Sequence, residues 1–189
     1  MKAVPGLLLV ACLAACSVPG PREPDRYFIL DAGAARDAKP QAAASVVVAP
    51  TSASSFYDTQ DIAYSRAPGT RAYYQFNRWT DRPQRSIHAQ LAARLGSGGA
   101  KGGLRLDTRL EEIYHDASEQ PGTARITVSA ELVDPASRAV LARRTFTRSA
   151  PAASYDAPGA VLGFNQALAA VIGDLEAWVE AETRRTPRP

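Results

Sequence analysis

Leu104-Arg105-Leu106-Asp107-Thr108-Arg109-Leu110-Glu111-Glu112-Ile113 and Ala124-Arg125-Ile126-Thr127-Val128-Ser129-Ala130-Glu131-Leu132 alternate apolar and polar residues over most of their length. Side chains on a strand point to opposite faces in turn, so this pattern predicts two strands with one buried and one wet face. Asp134-Pro135-Ala136-Ser137 follows, with proline where a type I turn wants it. Ala139 to Arg148 then reads as a returning partner, which makes an antiparallel meander. Leu141 and Phe146 fall on opposite parity, which predicts a bulge near Arg143-Arg144.

Downstream the period changes from two to three or four. Val161, Phe164, Leu168, Val171, Leu175 and Trp178 form the apolar stripe of a helix expected over Ala157 to Glu182, broadened by Leu162, Ile172 and Val179. Residues 183–189 are read as a polar tail. Upstream, Ile87, Leu91 and Leu95 mark a shorter helix from Pro83, with Asp81 as a candidate cap. Gly96 to Gly103 stops that helix. These glycines lack the G-x-G-x-x-G spacing and the G-K-[ST] ending, and they follow a helix, so they are not read as a phosphate cradle.

Further upstream, Tyr27 to Leu30 and Ser45 to Ala49 are short strand candidates. Gln60 to Arg66 and Arg71 to Phe76 flank a Pro-Gly turn and read as a hairpin, with Ile62 and Tyr64 on one face and Tyr73 or Tyr74 opposite. The expected fold is one α+β domain over residues 27–182: an antiparallel sheet packed on one face by the C-terminal amphipathic helix and the shorter helix.

The first sixteen residues follow another logic. Met1-Lys2 precedes thirteen uncharged, mostly apolar residues, too few for the roughly 20 a membrane-spanning helix needs but enough for a signal peptide. The run ends Leu13-Ala14-Ala15-Cys16, which looks like a lipobox, so residues 1–15 are read as a lipoprotein signal peptide and Cys16 as the lipidated residue. Leu9-Val10-Ala11-Cys12 is a second lipobox candidate, and an unlipidated secreted protein is the alternative. Residues 16–26 carry three prolines and read as an extended tether, up to about 30 Å long at ~3.1 Å per residue. Each buried methylene contributes about 0.8 kcal/mol, so several acyl chains would make a lasting anchor.

Composition excludes several kinds of chemistry. Cys12 and Cys16 are the only cysteines, so the expected domain has neither a disulfide nor a cysteine nucleophile, and with only His88 and His115 no His-rich metal site. No G-x-S-x-G elbow is present. A formal charge of +3 is too small to argue for nucleic acid. His88 is expected to be partly buried beside its helix's stripe, and His115 to be solvated at a strand end. No enzyme and no cofactor are expected.

Phe56 to Pro83 is the unusual stretch, with Phe56, Tyr57, Tyr64, Tyr73, Tyr74, Phe76 and Trp79 interleaved by Arg66, Arg71, Arg78 and Arg82. Aromatic and arginine side chains together favour protein interfaces. Tyr64, Arg66, Tyr73, Tyr74, Arg78 and Trp79 are therefore the partner-binding candidates; packing of the aromatics on the sheet is the alternative, above all for Tyr64 and Trp79.

This block, D-I-A-Y-S-R-x-P-G-x-x-A-Y-Y-x-F-N-R-W-x-D-R-P, resembles the ABC-type transport auxiliary lipoproteins, the PqiC-like family. The likeness continues through R-L-D-T-R-L-E-E-I, L-V-D-P-A-S-R-x-V-L-A-R-R-T-F and the final helix, about Tyr27 to Glu180; the glycine-rich 96–103 loop departs from it. The resemblance implies a non-catalytic lipoprotein of an MCE/ABC-type intermembrane lipid transport system. It implies an outer-membrane location facing the periplasm, in keeping with Ser17 rather than Asp after the anchor cysteine. The implied partners are the outer-membrane bilayer, through acyl chains, and the MCE-domain periplasmic protein of the transporter; a homo-oligomeric ring is one arrangement it allows. An assembly lipoprotein, a pilotin or chaperone for another outer-membrane complex, is the competing function.

Overall fold

In a computed structural model describing residues 23–33, 46–96 and 103–185, two helices lie against one face of a sheet. The signal peptide, Cys16, most of the tether and the glycine-rich residues 97–102 lie outside the described residues.

The frame is the meander β6 (Leu104–Asp116), β7 (Thr123–Val133) and β8 (Val140–Pro151), paired antiparallel as expected. Leu106, Thr108 and Leu110 of β6 oppose Leu132, Ala130 and Val128 of β7, and all are buried. At Glu111 the register of β6 slips by a residue, after which Ile113 and His115 take up the inner face opposite Ile126 and Ala124. The bulge lies where two successive glutamates cannot both alternate with apolar neighbours, and it keeps the two carboxylates off the core side. In β8 the irregularity falls at Leu141, between the pairs Leu132↔Ala142 and Val133↔Val140, not at Arg143-Arg144. Leu141 is 44% exposed, so its parity does not have to match that of buried Phe146.

Helix α2 (Ala157–Arg185) lies across β7 and β8. Asp156 caps it, its Oδ1 accepting from the Gly159 amide at 2.9 Å. Its buried stripe is the expected one with one exception: Leu162 is 56% exposed, because it falls outside the arc that faces the sheet. Phe164 is fully buried and packs edge-on against Trp79, 5.5 Å between ring centroids; burial of such a ring contributes about 1.5–3 kcal/mol. At Gly163 a Cβ would stand 2.9 Å from Ala124 Cβ and from the Pro151 carbonyl, so glycine sets how closely helix and sheet approach. The helix runs three residues beyond its expected end, to Arg185, with the Thr183 hydroxyl donating to the Val179 carbonyl and Arg184 paired with Glu180.

Helix α1 (Pro83–Leu95) buries Ile87 and Leu91 in the same core and is joined to α2 by Arg94–Glu176 at 3.1 Å. Its N-cap is Arg82, which makes no side-chain cap bond; Asp81 accepts from the Arg82 amide, one residue too early to reach the free amides inside the helix.

The N-terminal strands give the sheet a mixed character. β2 (Val46–Val48), β3 (Ser52–Ala53) and β4 (Asp61–Ser65) lie in succession along the other edge of β6, all parallel to it. β5 (Ala72–Trp79) returns antiparallel to β4, and β1 (Arg26–Phe28) closes that side parallel to β5. The main strand order is β1-β5-β4-β6-β7-β8. The expected antiparallel arrangement therefore holds for the meander and the β4–β5 hairpin, and the remaining pairings are parallel. Alternation reports which face is buried, not strand direction, so these pairings left no mark in the periodicity.

The face away from the helices is polar. Arg105–Asp107, Arg109–Glu111 and Arg143–Glu131 pair along or across strands, and Thr127 bonds Thr147. Glu111 accepts from Ser129 and Ser54, and the Ser129 hydroxyl is the chief reason its carboxyl lies below the usual range.

Candidate functional site

The aromatic–arginine segment divides between core, open face and hairpin end. Trp79, the last residue of β5, is 1% exposed and lies between the sheet and Phe164. It is a core residue and offers a partner no surface, because its indole is buried against Phe164 of α2. Arg78 is tied down locally, bonded to Asp61 and 4.0 Å from Asp25.

Tyr73 and Tyr74 are neighbours on β5 and point to opposite faces. Tyr73 is 38% exposed, stacks on Phe56 at 4.6 Å and donates its hydroxyl to the Phe56 carbonyl. Close by, Arg71 lies 3.6 Å over the ring of Tyr114, donates to the Tyr57 hydroxyl at 3.1 Å and pairs with Glu112 at 3.3 Å. That guanidinium is held on three sides. Burial raises the Tyr57 hydroxyl above its ordinary pKa.

Tyr74 turns the other way, toward the helix layer. Its hydroxyl lies 2.7 Å from His115 Nδ1, and His115 Nε2 lies 2.9 Å from the Pro121 carbonyl. A carbonyl can only accept, so Nε2 carries the hydrogen and Nδ1 accepts from Tyr74. His115 is fully buried, with Tyr155 edge-on at 6.2 Å, and is not the solvated strand-end residue expected. The Glu111 bulge explains the difference, because it shifts position 115 onto the inner face. Burial lowers the His115 pKa against the opposing pull of the Pro121 carbonyl, Asp116 and Asp156, and burial raises Tyr74 to about 12. Gly122 completes the enclosure: at φ +85° a Cβ there would run into the Asp116 carbonyl and the His115 ring. His115 thus serves as a hydrogen-bonded wedge under the hairpin.

Above that wedge, Tyr64 packs on Tyr74 at 4.7 Å, and Arg66 lies 5.0 Å from the Tyr64 ring. Arg71, Arg78 and Arg82 each have a carboxylate partner, whereas Arg66 is exposed and forms no ion pair among the described residues. Tyr64, Arg66 and partly exposed Tyr155 therefore form a surface patch at the hairpin end, backed by half-buried Tyr74 and, beneath it, fully buried His115. Of the six sequence candidates, Tyr64, Arg66 and Tyr74 come together; Tyr73 belongs to the Phe56 stack on the open face, Arg78 to an ion-paired edge and Trp79 to the core. Tyr155 and His115 join the patch without a sequence signal, since 155 lies in a connection and 115 depends on the bulge.

His88 is half-buried, as expected beside the α1 stripe. Among the described residues no cluster of three or more His, Cys, Asp or Glu could hold a metal, and no helix is long and apolar enough to cross a membrane.

The fold is similar to solved structures of low sequence identity. Protein XCC0632 from Xanthomonas campestris superposes with a TM-score of 0.72 at 22% identity, over 85% of this chain and 98% of that one. The crystal structure of another protein, uncharacterized, gives 0.66 at 12% identity, over 83% and 99%. No curated protein matches the sequence. Residues 27–175, from β1 into α2, match the family model of the ABC-type transport auxiliary lipoprotein component. With most of its length inside that match, the chain belongs to the ABC-type transport auxiliary lipoprotein family.

Proposed function

We propose that this protein is a non-catalytic docking component of an MCE/ABC-type system that moves phospholipid between the two membranes, held to the periplasmic face of the outer membrane by acyl chains on Cys16. The observation that carries the reading is the family match, which spans β1 to α2 and describes a lipoprotein accessory to ABC-type transport. The sequence before it supplies a short basic start, an apolar run and Leu13-Ala14-Ala15-Cys16. Acyl chains would hold the domain at the membrane, and the tether would let it stand up to about 30 Å away. ATP hydrolysis would then belong to a separate subunit.

Tyr64, Arg66 and Tyr74 are the contact we assign to the MCE-domain partner. Arg66 needs no ion pair broken before it engages a carboxylate or carbonyl, and the two tyrosines give it a rigid aromatic base with few rotamers to lose.

Deletion of the gene tests the role. The outer membrane is expected to become permeable to detergent, and a chain with Tyr64→Ala and Arg66→Ala to restore the barrier incompletely and to lose co-purification with the MCE protein. A barrier left intact by the deletion, in cells where loss of the transporter itself causes leakage, would overturn the assignment. Mass spectrometry of the native protein tests the anchor: an unmodified sulfur at Cys16 and a free amino terminus there would remove it.

A further inference from the structure

β8 ends the sheet on the side away from the hairpin. At Val140–Pro151 it is a long edge strand, and among the described residues one row of its amide and carbonyl groups has no neighbouring strand. Such a row can bind another extended chain by adding a strand to the sheet. The side chains along it are one-sided in charge: β8 carries Arg143, Arg144 and Arg148 and no carboxylate. Arg143 pairs with Glu131 on the open face, and Arg148 pairs with Asp174 of α2 on the helix side. Arg144 is exposed, lies 5.3 Å from the Phe146 ring and has no carboxylate partner among the described residues. Val140 and Leu141 add exposed apolar surface at the start of the strand.

We propose that the free edge of β8 is a β-augmentation site for an extended, acidic segment of a partner protein. Charge selects the occupant. Two copies of β8 paired antiparallel about Phe146 would set Arg144 against Arg148 on the helix side, so the edge disfavours a second copy of itself. An incoming strand with carboxylates on alternate residues would meet Arg144 on the helix side or Arg143 on the open side, with main-chain hydrogen bonds between. The site lies at the opposite end of the strand order from β1 and does not use the Tyr64–Arg66 patch, so its test is independent of the transport reading.

The test uses the full chain in detergent and a blocked peptide of five Thr-Glu repeats, with five Thr-Lys repeats and an alternately N-methylated Thr-Glu peptide as controls. Amide hydrogen exchange is followed residue by residue. The acidic peptide at millimolar concentration is expected to slow exchange in β8 by about tenfold, an effect weakened by salt, while neither control does so. Arg144→Glu is expected to abolish the protection and Arg144→Lys to retain it, both with the parent thermal midpoint, since Arg144 is exposed and breaks no ion pair. Equal protection by the lysine peptide, protection confined to other strands, protection unchanged in Arg144→Glu, concentration-dependent self-protection of β8 without peptide, or no protection at all would each overturn the proposal. In the last case the arginines only guard the edge against aggregation.

Discussion

The β6–β7 pair and the β4–β5 hairpin are both antiparallel, yet they are built on different terms. β6 and β7 stay in register from Arg105↔Val133 to Asp116↔Thr123 with a single slip at Glu111. Along the hairpin the step from Asp61 to Ala63 faces the much longer step from Arg78 back to Tyr73. The first pair is held by a continuous apolar face pressed against α2, so each residue's place follows from its parity. The second is held by individual contacts: Trp79 on Phe164, Tyr74 on His115, Arg71 on Tyr114, Arg78 on Asp61. A surface built from separate contacts can change its exposed members without losing the fold, and the exposed patch lies there rather than on the meander.

Four substitutions put this contrast to the test. Phe164→Ala removes the ring on which both regions converge and is expected to lower stability by about 3–5 kcal/mol in denaturant unfolding; a loss below about 1 kcal/mol would show that α2 is not what holds the meander. Gly122→Ala places a Cβ against the Asp116 carbonyl and the His115 ring at a positive φ, and is expected to cost about 2 kcal/mol or more in thermal unfolding. Tyr74→Phe keeps the ring but leaves His115 Nδ1 buried without a donor, for about 1–3 kcal/mol, and wild-type stability after that change would mean water replaces the hydroxyl. Arg66→Ala is expected to stay within about 0.5 kcal/mol of the parent while weakening capture of the MCE protein; a large loss of stability would make Arg66 structural.

The wedge also has a pH signature. The folded pKa of His115 is depressed by burial, so below about pH 6.5, where the unfolded chain takes a proton, the folded chain resists one. Stability should therefore fall as pH drops through that value, with no contribution from this group above it. Asp116 and Asp156 act lower: hydrogen bonds from Ser118 and Ser154 chiefly hold their pKa values down, so their stabilisation is present above about pH 4 and is lost as pH falls further. His115→Gln should flatten the upper part of the profile in unfolding curves between pH 7 and 5, while the lower fall, set chiefly by the hydrogen bonds from Ser118 and Ser154, persists. An unaltered upper slope would show that His115 titrates alike in both states.

Alternation over 104–132 and the three-four spacing over 161–178 sufficed for the meander, for α2 and for the face on which the helices lie, because burial of one face against water leaves its period in the residues themselves. The block from Asp61 to Pro83 likewise carried the family on its own residues. Direction and neighbourhood belonged to the tertiary structure. That β2, β3 and β4 run parallel to β6 depends on where a chain of mostly short strands finds an open edge, and no residue preference encodes it. Whether an aromatic ring packs inside or faces a partner was open for the same reason: Trp79, Tyr73 and Tyr74 are equally suited to core and interface, and only the position of α2, the register slip at Glu111 and the resulting burial of His115 separate them.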